Sequence, residues 1–85
     1  MAKIETEPPA WRQVYAEISK RIRTGKIPVG EKIPSLVQLT AEFGIASATG
    51  MKVMRALRES GLIRTVPGRG SFVADPEHWE PEGSA

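Results

Sequence analysis

The chain has 85 residues, with seven prolines, eight glycines and no cysteine. This length allows one small domain with a limited apolar core, and without cysteine neither a disulfide framework nor a thiolate metal site supports that core. No apolar run approaches the roughly 20 residues that span a bilayer, and no hydrophobic stretch of signal-peptide length begins the chain, so we expect a soluble, cytoplasmic protein.

Charge is unevenly distributed along the chain. The net charge is +2, yet residues 11–73 carry eleven Lys and Arg side chains against four Glu, a net of +7. Residues 74–85 carry four acidic side chains and no Lys or Arg. A basic body with acidic ends favours a polyanionic partner such as nucleic acid or a membrane surface, although a solvated basic surface would explain the charge equally well.

The first predicted element is a helix over residues 10–24. Val14, Ile18 and Ile22 recur every four residues, which is the spacing of one apolar helix face, and Gly25 provides a stop signal. The aromatic residues beside this stripe either complete the core or pair two copies of the chain. We expect residues 1–9 to form a flexible N-terminal segment.

A glycine- and proline-rich loop with a short strand leads into a second, short helix. Ser35 and Gln38 have the spacing of a capping box, in which each side chain satisfies a backbone N–H of the first helical turn. Gly44 falls where this helix should end, since glycine adopts the left-handed conformation of a C-cap. A turn of only a few residues follows.

The third predicted helix begins at Ser47 or Ala48 and ends before Gly61. Val53 and Leu57 face a core, and the basic side chains available to the opposite side are Lys52, Arg55 and Arg58. Residues 62–66 and 71–73 then read as two strands joined by a turn-rich loop that contains Arg69.

Two helices separated by a tight turn and followed by a basic hairpin indicate a winged helix-turn-helix. We therefore expect a mainly α fold, with three helices and a two- to three-stranded wing, over residues 10–74, followed by an acidic flexible tail at 75–85. In such a fold the second helix of the motif enters the major groove of DNA. A helix N-terminus such as that at Ser35 binds phosphate, and a glycine-flanked arginine at a hairpin tip can approach a minor groove closely.

The motifs resemble those of the GntR-type bacterial transcription regulators. The entry pattern G-x-hydrophobic-x-x-G-x-x-hydrophobic-P-S matches Gly25–Ser35, the E-G-L-I pattern appears as Ser60–Ile63, and G-R-G-S/T-F-V matches Gly68–Val73. The resemblance implies that the domain binds operator DNA, typically as a dimer, and represses transcription. It also implies a separate effector-binding domain, which we expect to be absent from this chain.

Several base-reading positions depart from the family pattern. Where the family has S-E-R-E-L, this chain has Val37 in place of the arginine, and where it has V-S-R-T-T-V-R-R, Ser47 and Met51 replace arginines and Ala48 replaces a threonine. These losses should change or weaken selectivity, because an arginine bound to guanine through two hydrogen bonds contributes roughly 1–3 kcal/mol of discrimination. Gly50 also lacks the core side chain usual in the family.

These observations define a predicted DNA-binding surface and leave some alternatives open. The predicted contact residues are Ser35, Ser47, Thr49, Lys52, Arg55, Arg69 and Gly70, supported electrostatically by Lys32, Arg58 and Arg64. The partner is double-stranded DNA, a homodimer on DNA remains open, no membrane is involved, and the bound protein would associate with the nucleoid. The alternative is a protein-interaction winged helix, since the lost arginines would also suit a protein partner.

Catalytic and cofactor sites are not expected. The single histidine, His78, lies in the acidic tail, and no carboxylate pair falls on a predicted structured face with a nucleophile or base, so we predict no enzyme activity, no cofactor and no metal site. Trp79 in the same tail could anchor it to the domain or to a second copy, but a flexible tail is the simpler expectation. A tail folded over the basic surface would compete with DNA.

Overall fold

The computed structural model describes residues 10–81 and confirms the predicted fold class and element order. The predicted flexible segment at residues 1–9 lies outside the described part of the chain. Three helices are followed by one antiparallel pair of strands and a short 3-10 turn. In chain order these elements are α1 (Ala10–Arg23), α2 (Leu36–Phe43), α3 (Ser47–Glu59), β1 (Ile63–Val66), β2 (Gly70–Val73) and the turn Pro76–His78.

A single apolar cluster holds the helices and the sheet together. It takes side chains from all three helices, from the loop before α2 and from both strands: Val14, Ile18, Ile22, Ile33, Leu39, Val53, Leu57, Leu62, Ile63 and Val73. Trp11 and Tyr15 are half-buried against this cluster, with their rings edge-to-face and the centroids 6.5 Å apart. Both aromatic residues thus take part in the packing of this one chain.

The start and end of α2 are fixed locally, as the sequence predicts. The Ser35 hydroxyl oxygen accepts the Gln38 backbone N–H at 3.2 Å, and the Gln38 side-chain oxygen accepts the Ser35 backbone N–H at 2.9 Å. This reciprocal pair confirms the capping box. Gly44 ends the helix with φ +64°, in the left-handed region that glycine enters without a side-chain clash.

Gly50 lies at a contact between α2 and α3. It is buried, and a Cβ placed on it would lie 2.7 Å from Leu36 Cδ1 and 3.1 Å from Thr40 Cγ2. The space that a larger residue at this position would fill is therefore occupied by side chains of α2. Helix α3 is continuous through Gly50.

The wing consists of two paired strands and one additional bridge. Ile63 pairs with Val73 and Val66 with Gly70 in the antiparallel register. Lys32 forms an isolated bridge with Phe72, and the neighbouring Ile33 N–H donates to the Ser71 carbonyl at 2.9 Å. The predicted third strand is thus reduced to this single bridge, which joins the loop before α2 to the hairpin.

The C-terminal segment makes several hydrogen bonds to the rest of the domain. The Trp79 indole N–H donates to the Ala74 carbonyl at 2.9 Å, the Glu80 N–H donates to the Ser60 carbonyl at 2.8 Å, and Arg23 donates to the Glu80 carbonyl at 2.7 Å. Residues 75–81 therefore pack at the C-terminal ends of α1 and α3, while residues 82–85 lie outside the described range. The acidic composition of this segment gives no sign of these contacts, because most of them are made through its backbone.

A salt bridge connects α1 to α2. The Arg21 guanidinium lies 3.0 Å from a Glu17 carboxylate oxygen within α1 and 2.6 Å from a Glu42 carboxylate oxygen on α2. Its hydrogen bond to Glu42 lowers the pKa of that carboxyl below its ordinary value, although desolvation acts in the opposite direction. The same guanidinium lies over the Phe43 ring, 5.6 Å from its centroid.

We predict that Gly50→Val destabilises the domain by about 1–3 kcal/mol, because the added methyl groups overpack the α2–α3 contact. The matched control Ala48→Val, at an exposed position in the same helix, should cost less than about 0.7 kcal/mol. Urea denaturation would measure both. Gly50→Val should also cost less in a Leu36→Ala background, and equal costs in the two backgrounds would contradict the proposed contact.

We also predict a pH-dependent effect of Glu42→Gln. Because the folded pKa of Glu42 is lowered, its charged form stabilises the fold above the unfolded pKa of about 4.3, and this contribution is lost as pH falls through the lower folded value. The melting temperature of the variant should lie below that of the unmodified chain at pH 7, and the difference should shrink as the pH falls below the unfolded pKa of about 4.3. Glu31→Gln, in the exposed loop before α2, is the control, and a difference that persists at low pH would contradict the assignment.

Candidate nucleic-acid interface

Helix α3 presents one face to the core and the opposite face to solvent. Val53 and Leu57 are fully buried, and these positions lie on one side of the helix. Ala48, Met51 and Arg55 follow the i, i+3, i+7 spacing of a second face, and all three are exposed. The rotation of α3 about its own axis is thus fixed by the core, and its solvent face is continuous over two turns.

The N-terminus of α3 has no side-chain cap. Ala46 occupies the N-cap position and forms no capping hydrogen bond. The first backbone N–H groups of a helix have no partner within the helix, and together with the helix dipole they favour an anion. Ser47 is exposed in this first turn, whereas Thr49 is half-buried. The sequence pattern pointed to Ser47 and not to the uncapped backbone N–H groups at the start of α3. The signal for them is Ala46, since alanine at an N-cap position cannot form a capping hydrogen bond.

Lys52 and Arg58 lie away from the centre of this face. The Lys52 ammonium lies over the Trp11 ring, 5.4 Å from its centroid, which places it on the α1 side of α3. Arg58 occupies the last turn of the helix. With a rise of about 1.5 Å per residue, its Cα is roughly 16 Å along the axis from that of Ser47.

Two glycines shape the tip of the wing. Gly68 has φ +78° and Gly70 has φ +120°, which are backbone conformations that residues with a side chain rarely adopt. Arg69 lies between these two glycines. A Cβ on Gly70 would lie 2.6 Å from Lys32 Cε, so the Lys32 side chain passes directly over this glycine. Arg69 and Arg64 line one cleft with Phe72.

The N-terminus of α2 forms a second polar region. The Ser35 oxygen is occupied as an acceptor by the Gln38 N–H, which leaves its hydroxyl proton as the group that can reach a phosphate. Lys26 and Lys32 line a cleft together with Gln38. Lys26 is not among the residues predicted from the sequence, because nothing in its sequence position indicates that it lines one cleft with Lys32.

Two apolar side chains stand where the family pattern has arginine. Val37 on α2 is 75% exposed and Met51 on α3 is 56% exposed. Neither is a core residue, so the surface that the sequence analysis assigned to DNA is less basic at its centre than in the family pattern. Its positive side chains are concentrated on α3 after Met51 and in the wing.

The predicted residues thus fall into three groups. The α3 group is Ser47, Thr49 and Arg55, with Lys52 and Arg58 at its margins. Arg69 and Gly70 form the wing tip with Lys32 and Arg64 beside them, and Ser35 caps α2. Within residues 10–81, no helix is long and apolar enough to cross a membrane. Asp75, Glu77 and His78 place potential metal-ligand atoms within 4.8 Å of one another, but all three side chains are exposed.

A helix-turn-helix with an exposed second helix, joined to a glycine-tipped basic hairpin, defines a winged helix-turn-helix domain. The family model "Bacterial regulatory proteins, gntR family" matches residues 10–73. The chain belongs to this family.

Individual relatives agree with this assignment. The chain is 35% identical to the histidine utilization repressor of Klebsiella aerogenes over 69 residues, which cover 81% of the chain and 29% of that protein. It is 33% identical to the transcriptional regulator TreR of Bacillus subtilis, over 75% of the chain and 27% of that protein. The chain therefore spans less than a third of the length of these curated relatives.

A solved DNA complex is also similar. The DNA-binding domain of AraR in complex with operator ORR3 matches with a TM-score of 0.76 and 40% identity, over 80% of this chain and 82% of that one.

We predict that Arg69→Ala weakens DNA binding roughly tenfold, because a charge-assisted hydrogen bond to DNA is lost, and lowers the magnitude of the salt slope by about 1. The control Lys20→Ala removes the same charge from an exposed position of α1 that is not among the predicted contact residues, and should change affinity less than twofold. Fluorescence anisotropy at several salt concentrations would measure both. Equal effects of the two variants would show that Arg69 contributes only general charge.

Proposed function

We propose that this chain is a sequence-selective, double-stranded DNA-binding transcription regulator that represses transcription by occupying operator DNA. One observation carries the proposal: the outer face of α3 and the arginine at the tip of the wing are both exposed to solvent. A major groove is wide enough to admit α3. Because glycines flank the arginine at the wing tip, this tip can approach the adjacent DNA backbone or minor groove closely.

Each group of residues has a separate role in the proposal. Arg55 and Ser47 contact base edges from α3, Thr49 supports the start of that helix, and the uncapped α3 N-terminus and Ser35 bind phosphates. Arg69 enters the minor groove or contacts its edge, which the Gly70 conformation permits. The electrostatic attraction to the DNA backbone comes from the remaining predicted residues, Lys32, Lys52, Arg58 and Arg64.

The proposal extends to assembly and location. Residues 10–74 form the DNA-binding unit, two copies bind one operator, and the protein acts in the cytoplasm, associated with the nucleoid and without an enzymatic step. The names of the relatives support repression, since the histidine utilization protein of Klebsiella aerogenes is named as a repressor. The AraR complex supports operator DNA as the partner.

The test is fluorescence anisotropy of the purified chain on random genomic fragments and on the DNA flanking its own gene, at several salt concentrations. We expect one fragment to bind more tightly than the rest, with log affinity falling by about 0.9 per log unit of salt for each phosphate neutralised. Stoichiometric titration of that fragment would report the number of copies bound. Equal affinity for all fragments would contradict selectivity, and no binding at low salt would contradict a DNA partner and favour a protein partner.

A further inference from the structure

Exposed apolar side chains flank the contact between α2 and α3. Within residues 10–81 the large apolar side chains with high exposure are Val29, Val37 and Met51. Val37 directly follows Leu36, and Met51 directly follows Gly50, while Leu36 packs against Gly50. Val37 and Met51 are thus each next in sequence to a residue of this helix–helix contact and are themselves exposed, whereas Val29 lies in the loop before α2.

The face of α3 that carries Met51 also carries a basic side chain. Arg55 lies one turn beyond Met51 on the same face of α3, and Ala48 lies one turn before it. Two side chains fall short of the contiguous patch of several hundred Å² that typically marks a protein interface. The pair suits a polyanion that itself presents small, isolated apolar groups.

The DNA major groove presents one such group. Thymine carries a C5 methyl there, whereas the other base edges offer hydrogen-bond donors and acceptors. Valine has no polar side-chain atom, and the methionine thioether is only a weak acceptor. Both side chains would leave the polar edge of guanine or cytosine without a strong partner, but both can bury a methyl group.

We propose that Val37 and Met51 recognise thymine methyl groups in the major groove, so that the operator of this chain carries thymine at the positions these two side chains face. The inference rests on the proposed function and adds the class of base that is read. It assigns selectivity to apolar contacts at two positions where the family pattern has arginine. Hydrogen-bonding readout then falls to Ser47 and Arg55.

The experiment removes only the methyl groups. A duplex selected by this chain from a randomised pool is resynthesised with deoxyuridine in place of thymidine, one position at a time, and binding is measured by fluorescence anisotropy. Val37→Ala and Met51→Ala are compared with Val29→Ala, which shortens an exposed valine outside the helix-turn-helix. All three positions are exposed, and circular dichroism would verify that each variant is folded.

We expect uridine at one or two positions to weaken binding of the unmodified chain roughly three- to fivefold per methyl lost. Met51→Ala should abolish the sensitivity at one thymine and Val37→Ala at another, whereas Val29→Ala should retain both. Tight, selective binding with no uridine effect would overturn the inference and leave the proposed function intact. A uridine effect that persists in both helix variants would also overturn it, and failure to select any duplex would reject the proposed function and the inference together.

Discussion

The burial of one face of α3 is the constraint on which the rest of the surface depends. Val53 and Leu57 are fully buried in the apolar cluster that also takes side chains from α1 and both strands, and Gly50 faces α2, where Leu36 and Thr40 lie close to it. With three inward positions fixed, α3 cannot rotate without exposing apolar surface. The outward direction of Arg55 is therefore a consequence of core packing.

The wing is coupled to the helix-turn-helix through the backbone. The Ile33 N–H donates to the Ser71 carbonyl, and the Val73 N–H donates to the Glu31 carbonyl at 2.9 Å each. The loop that leads into α2 is thus bonded to β2 of the hairpin. The Lys32 side chain also passes over Gly70, so the entrance to α2 and the hairpin are in contact through both backbone and side chain.

Two departures from the family pattern are linked by the packing of α2 against α3. Leu36 stands where the family has glutamate, and Gly50 stands where it has valine, and the leucine side chain occupies the space over the glycine. The exchange moves apolar volume from α3 to α2 while the helices remain in contact. The nearby changes at Val37 and Met51 alter the chemistry of the outer surface and leave the core unaffected, since both side chains point away from it.

The elements and the class of fold are predictable from the sequence, because their signals are local. The capping box at Ser35, the left-handed Gly44 and the four-residue apolar repeat of α1 each act within one or two helical turns. Contacts between residues far apart in the sequence become visible only in the packed fold. Lys52 lies over Trp11, Leu36 fills the space at Gly50, and Trp79 docks its segment at the end of the helices. These contacts depend on how elements pack across the chain, and short-range sequence patterns carry no information about that packing.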